Sequence, residues 1–385
     1  MHVLLLEPYL GGSHAAWVEG YTAHSRHKVT ALTLPGCFWK WRMHGGAVTL
    51  ARQFLKMERM PDCILATDML DLTTFLALTR PRTWRVPVAL YFHENQMSYP
   101  WAPHDRDKAK GRDVHYGFIN YTSALAADAI FFNSLYHQES FFAELPRLLK
   151  HFPDYNELDT IAALRAKSTV LPLGLDLARL DAFRPPARER PGTPPIILWN
   201  HRWEYDKNPN EFFAALYALA ERGLDFRVVI LGECPRERPS EFLEAHKRLG
   251  ERVLHMGYVA DFGEYARWLW HADILPVTSY HDFFGSSVVE AIYCGCFPLL
   301  PRRLSYPELI PHAYHPTCLY RDLADLVERL CHLITTTSWP SVTPLQSYVA
   351  RFDWQSIAPE YDNQLEQLCR SARASGIQPT TLTQL

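Results

Sequence analysis

A chain of 385 residues exceeds what one ordinary hydrophobic core organises and fits two domains of common size. Hydrophobic residues at 48% and aromatics at 13% exclude a disordered chain, and no apolar run is long enough to span a bilayer. A net charge of −3 excludes a polycation, so any nucleic-acid partner needs a local basic surface.

Apolar runs alternate with helical spacing along the whole chain, which predicts a parallel α/β architecture. The first run, broken by Glu7 and Pro8, has no basic leader and reads as a buried strand rather than a signal peptide. Strands are expected at 2–7, 28–33, 63–66, 88–92, 129–133 and 169–172. Segment 184–195 holds five prolines, three arginines and no apolar pattern, which predicts an extended linker. A second α/β unit follows, with strands at 196–199, 226–231, 253–256 and 274–278. Helices are expected at 210–222, 241–249 and 262–271, and again after Gly285. Helical spacing of Ile357, Tyr361, Leu365 and Leu368 predicts a C-terminal helix over 355–374 that packs back on the first domain. The expected division is therefore 1–183, a linker at 184–195, 196–354, and a helix and frayed tail at 355–385. Two such domains joined by a stiff linker imply a cleft, a favoured place for ligands. The eight cysteines are scattered, and only Cys294 and Cys296 are closely spaced. Reduced thiols in a cytoplasmic protein, with no zinc site, are expected.

Four segments carry chemistry. Gly11-Gly12-Ser13-His14 joins the first strand to a helix, where glycines admit a close ligand and the helix start offers amide donors. A tight turn accounts equally well for these residues, and the dinucleotide fingerprint is absent. His93-Glu94-Asn95-Gln96 ends a buried strand with four polar side chains in a row, costly unless they are satisfied. Arg202 and Lys207 follow the first strand of the second unit and could offer a planar fork and a point charge to a diphosphate, with no metal required. Finally, Asp282 precedes Gly285-Ser286-Ser287 and Glu290. A helix starting there presents free amides to phosphate, and the carboxylates suit paired hydroxyls, which together describe a nucleotide-sugar.

At these residues the chain resembles the retaining GT-B glycosyltransferases of family four. NHRWEYDKN resembles that family's diphosphate-binding segment, HADILPVTS its strand before the donor loop, and DFFGSSVVE its E-x7-E motif. The resemblance implies two Rossmann-like domains facing each other across a cleft. It gives Arg202, Lys207, Asp282 and His93 catalytic roles. Donor contacts are implied for Gly11, Gly12, Arg202, Lys207, Asp282, Gly285, Ser286, Ser287 and Glu290. Asp282 stands where that family usually has Glu, one methylene longer.

EPYLGGSHAAWVEGY, LPGCFWKWRMHGGA and YFHENQMSYP resemble the tRNA-queuosine α-mannosyltransferase group more narrowly. That resemblance implies GDP-mannose as donor substrate, no cofactor, and queuosine in the anticodon of tRNA-Asp as acceptor. Ser13, His14, Lys40, Arg42, Arg82, Glu94, Asn95 and Gln96 are then the acceptor and tRNA candidates. Between His24 and Arg59 seven Lys or Arg residues face only Glu58, with Phe38, Trp39 and Trp41 interleaved. Such a tract suits backbone phosphates and unstacked bases. Composition alone favours core tryptophans beside a solvated basic face, and the resemblance reverses that preference. Two alternatives stay open: a family-four enzyme with another nucleotide-sugar and a small or lipid-linked acceptor, or an inactive tRNA-binding relative.

Overall fold

A computed structural model describes residues 1–101, 114–151, 153–186, 193–234, 238–336 and 339–374. The chain divides into two units, Met1–Leu175 with Trp354–Leu385, and Asp176–Asp353.

In the first unit six parallel strands lie in the order β2-β1-β3-β4-β5-β6. They are β1 (His2–Leu10), β2 (Lys28–Pro35), β3 (Cys63–Thr67), β4 (Val88–Phe92), β5 (Ala129–Phe132) and β6 (Ser168–Val170). Val3 to Leu6 are wholly buried because helices cover a parallel sheet on both faces, which is why these strands read as unbroken apolar runs. Leu5 pairs with Ala31 on one side and Leu65 on the other. β1 runs on past the expected end at Glu7, with its register shifting between Glu7 and Leu10. Beyond it Gly11 lies against Gly36, where a Cβ on Gly36 would sit 2.8 Å from the Gly11 Cα. Only glycine allows that approach.

Helix Gly12–His24 buries His14, Trp17, Val18 and Tyr21, one stripe at helical spacing. Against it packs helix Trp354–Ala374. Trp17 Nε1 donates to Tyr361 Oη at 3.1 Å, and Tyr21 Oη to Asp362 Oδ1 at 2.8 Å. Gly20 admits the Trp354 indole, since a Cβ there would fall 1.9 Å from Nε1. The C-terminal helix thus packs on the first unit as expected, and Trp354 belongs to that unit rather than to the second.

The second unit has the parallel order β12-β11-β10-β7-β8-β9. Its strands are β7 (Ile196–Trp199), β8 (Arg227–Ile230), β9 (Val253–Met256), β10 (Ile274–Pro276), β11 (Phe297–Pro301) and β12 (Leu319–Tyr320). The last two are not among the strands expected from the sequence. β11 is fully buried but carries Pro298 and Pro301, which disguise a strand signal. The boundary also differs from expectation, because residues 176–186 belong here. The 3-10 turn Ala178–Phe183 is held by Trp270 Nε1 donating to the Leu180 carbonyl at 2.8 Å and by Tyr293 Oη donating to Asp181 at 2.8 Å. Of the expected linker, 184–186 and 193–195 therefore lie inside the second unit, and 187–192 fall outside the described residues, as does the tail 375–385. Among the described residues no helix is long and apolar enough to cross a membrane.

Candidate active site

In the second unit the site grows from three chain segments, beyond the ends of β7, β10 and β11. Lys207, in the 3-10 turn Tyr205–Lys207, donates to the His281 carbonyl at 2.8 Å. Its Nζ also stands 3.2 Å from Asp206 Oδ2 and 3.7 Å from Asp282 Oδ2. Burial opposes ionisation of Asp282, but the Lys207 charge holds its carboxyl below the usual range. Tyr306 Oη donates to Asp282 Oδ2 at 3.3 Å and the Phe284 amide to Oδ1 at 3.3 Å, so the side chain is fixed as an anion.

Helix Ser286–Tyr293 starts on Gly285, whose φ of 96° is left-handed and suits glycine. No side chain caps this start, and among the described residues the Ser286 and Ser287 amides have no hydrogen-bond partner. Ser287 is locked to the end of β7: its Oγ lies 3.0 Å from His201 Nδ1, and its carbonyl accepts from Asn200 Nδ2 at 2.7 Å. Glu290 accepts from Tyr265 Oη at 2.6 Å, and burial raises its pKa. Two histidines flank the lysine. Burial, helped by the Lys207 charge, lowers His201 and His281 to about 4, so both are neutral at pH 7. Arg202 is different. Its side chain is 52% exposed and 3.2 Å from Glu204, a solvated pair with little structural role.

In the first unit the carboxyl ends of β1, β3 and β4 carry a second group. Glu7, wholly buried, accepts from the Tyr9 amide at 2.7 Å and lies 2.9 Å from His14 Nδ1. Burial opposes charging His14, but Glu7, with Asp68 and Glu94 further off, raises it to about 9. The His14 ring sits 4.2 Å from the His93 ring, and burial together with that neighbouring charge lowers His93 well below its ordinary value. One cationic and one neutral imidazole therefore share the site. Glu7, His14 and His93 also offer metal-ligand atoms within 4.8 Å of one another, but the proton held on His14 competes with a metal ion there. Gln96 Nε2 donates to Glu94 Oε1 at 2.7 Å, and Asn95 Oδ1 accepts from the Ser98 amide at 3.0 Å. Gly12 and Ser13 are exposed at the start of the first helix.

The basic-aromatic tract separates into two kinds of residue. Phe38 and Trp41 are 78% and 64% exposed, and Phe38 has a left-handed backbone that is strained for an aromatic residue. Trp39 packs with Trp101 and Tyr116, with Lys40 over the Trp39 and Trp101 rings. Arg42 is spent locally, donating to the Pro35 carbonyl at 3.1 Å and to Cys37 Sγ at 3.2 Å. Arg82 donates to the carbonyls of Phe54 and Leu55, closing the end of helix Trp39–Phe54. Both arginines are predicted tRNA contacts; in the structure Arg82 donates to two backbone carbonyls, and Arg42 to one carbonyl and the Cys37 thiol. Glu7, Asp68, Asp206, Tyr265 and Tyr306 are not among the sequence-predicted site residues. Only Glu7 left a signal, a carboxylate inside an apolar strand.

Residues 2–175 match the tRNA-queuosine alpha-mannosyltransferase N-terminal family, and residues 183–334 match glycosyl transferases group 1. A Drosophila melanogaster protein named tRNA-queuosine alpha-mannosyltransferase is 34% identical over 319 residues, 80% of this chain and 82% of its own length. The chain belongs to the tRNA-queuosine α-mannosyltransferase family. Within 40% of each chain this family member is also 32% identical to a Mycobacterium tuberculosis GDP-mannose-dependent alpha-(1-6)-phosphatidylinositol dimannoside mannosyltransferase. Sucrose-phosphate synthase from Thermosynechococcus elongatus superposes with a TM-score of 0.70 at 15% identity, covering 96% of this chain and 100% of its own. Anabaena Alr3699/HepE in complex with UDP gives 0.64 at 14% identity, covering 95% and 100%. These likenesses concern the fold, and the tRNA-queuosine α-mannosyltransferase family member has the two parallel sheets of the GT-B glycosyltransferases.

Proposed function

We propose that the protein moves a mannosyl group from GDP-mannose to the cyclopentenediol of queuosine in tRNA-Asp, with retention of configuration, in the cytoplasm. The observation that carries the acceptor is the identity to the Drosophila protein across four-fifths of the chain. The relative named as GDP-mannose-dependent supports the donor. The donor falls to the second unit. Lys207 alone cannot hold a diphosphate, because Asp206 and Asp282 already take up its charge. Arg202 and the open Ser286 and Ser287 amides supply the remaining attraction. Glu290 accepts hydroxyls of the ribose, and Asp282 those of the transferred sugar.

As the glycosidic bond to phosphate breaks, negative charge gathers on the departing diphosphate, where Lys207 and Arg202 stabilise it. The acceptor hydroxyl attacks from the same face, and a phosphate oxygen of the leaving group takes its proton. No protein base is needed on this route. The acceptor falls to the first unit, at His14, His93, Glu94, Asn95 and Gln96, with Phe38 and Trp41 stacking exposed anticodon bases. Incubating the protein with labelled GDP-mannose and tRNA with or without queuosine tests the proposal, after digestion to nucleosides. Label in the modified nucleoside alone is the expected result, and no label at saturating donor refutes it.

A further inference from the structure

One carboxylate of the first unit is built into a frame that leaves half of it unused. Asp68, directly after β3, donates its amide to the Tyr91 carbonyl at 3.0 Å. Its own carbonyl accepts from Asn120 Nδ2 at 2.9 Å, and its Oδ1 accepts from the His93 amide at 2.7 Å. Oδ2 is buried without a hydrogen-bond partner, and so are His93 Nε2 and Asn95 Nδ2. The three residues share one scaffold: Asn120 Oδ1 accepts from the Gln96 amide at 2.8 Å, and Asn133 Nδ2 donates to the His93 carbonyl at 2.9 Å. A carboxylate oxygen accepts, an amide nitrogen donates, and an imidazole nitrogen does either. Buried groups of this kind are normally satisfied, so three unmet ones beyond the ends of the paired strands β3 and β4 describe a place for a polar guest.

The charge at this place narrows the guest. Glu7 is committed to His14, while burial and the like charge of Glu94 raise Asp68 well above the ordinary carboxylate value. A cation beside Oδ2 offsets both costs and holds the carboxyl ionised, so the place favours a cation. Queuosine joins its cyclopentenediol to the base through a secondary amine that carries a proton at neutral pH. We propose that Asp68, His93 and Asn95 bind a hydroxylated organic cation, the protonated amine and adjacent hydroxyls of the acceptor. This rests on the function proposed above. Asp68 Oδ2 accepts a hydrogen bond from the ammonium, Asn95 Nδ2 donates to a hydroxyl oxygen, and His93 Nε2 meets the other hydroxyl.

The test varies both protein and ligand. With the full chain, Asp68→Asn should lower kcat/KM on queuosine tRNA by about 10- to 100-fold, the scale of one buried charge-assisted bond. Affinities for GDP-mannose and for tRNA lacking queuosine should stay within about twofold of wild type on that scale. Acetylating the queuosine amine removes its charge with no change to the protein. Wild type should discriminate against the acetylated acceptor, and Asp68→Asn should treat both alike. Equal use of both acceptors by wild type overturns the proposal, and so does an unimpaired Asp68→Asn enzyme. Should wild type transfer no mannose at all, the function above falls. Weaker binding of free queuine by Asp68→Asn than by wild type would still support this site, and equal binding would overturn it.

Discussion

Lys207 Nζ stands 3.7 Å from Asp282 Oδ2, so the expected diphosphate cation and the expected sugar-binding carboxylate are partners before any donor arrives. Lys207→Ala should cut kcat/KM by about 10²–10³-fold, the scale of one lost charge-stabilising donor. Affinity for queuosine tRNA should be preserved in filter binding. Calorimetry should show a lower Tm, because Asp206 and Asp282 are left buried without a counter-charge. Adding Asp282→Asn should recover stability but not turnover. Loss of tRNA affinity with normal donor affinity would refute the division of labour between the units.

Stability should peak near neutral pH. His14 is raised from 6.5 to about 9, so its contribution is full below pH 6.5 and is lost as pH rises through 9. That interval corresponds to about 3 kcal/mol at most. His201 and His281 act oppositely. Each is lowered from 6.5 to about 4, so between those values the unfolded chain binds more protons and stability falls with falling pH. Urea midpoints from pH 4 to 10 should give this dome. Glu7→Gln should flatten its alkaline limb, and NMR titration of the His14 ring checks the cause.

Phe38 and Trp41 are exposed, so replacing either with Ala should leave Tm nearly unchanged or raise it at strained Phe38. Affinity for queuosine tRNA should fall by about 5- to 100-fold per stacked base, with the salt slope unaltered. Normal binding by the double variant would remove the stacking surface from the account.

Arg82→Ala should behave as a stability variant. It uncaps the carbonyls of Phe54 and Leu55, at a cost of about 1 kcal/mol in the denaturation midpoint. Its tRNA affinity should keep the wild-type salt dependence. A slope lower by about one would show that Arg82 meets a phosphate after all.

Gly232 presses on the segment that carries Arg202. Its φ is 111°, and a Cβ there would lie 2.0 Å from the His201 carbonyl. Gly232→Ala should therefore displace the His201–Lys207 loop and weaken GDP-mannose binding at least tenfold, with tRNA binding intact. Isothermal titration with each ligand separates the two effects.

The sequence by itself determined the two parallel sheets and the helix start at Ser286, because buried strands and uncapped glycine turns leave local patterns. It also held the paired motifs around Lys207 and Glu290. It could not mark β11, whose two prolines imitate a loop, nor the Ala178–Phe183 turn, which looks like the head of a linker until Trp270 and Tyr293 bind it. Nor could it rank the arginines, since Arg202 and Arg82 differ only in whether carbonyls far along the chain come within reach. Tertiary structure alone decided that Trp354 seats on Gly20, that Tyr265 holds Glu290, and that Asp68 keeps one oxygen unmatched. The first two are contacts between residues separated by tens to hundreds of positions, the third depends on what distant residues leave unpaired, and spacing along a chain records only neighbours on the same helix or strand.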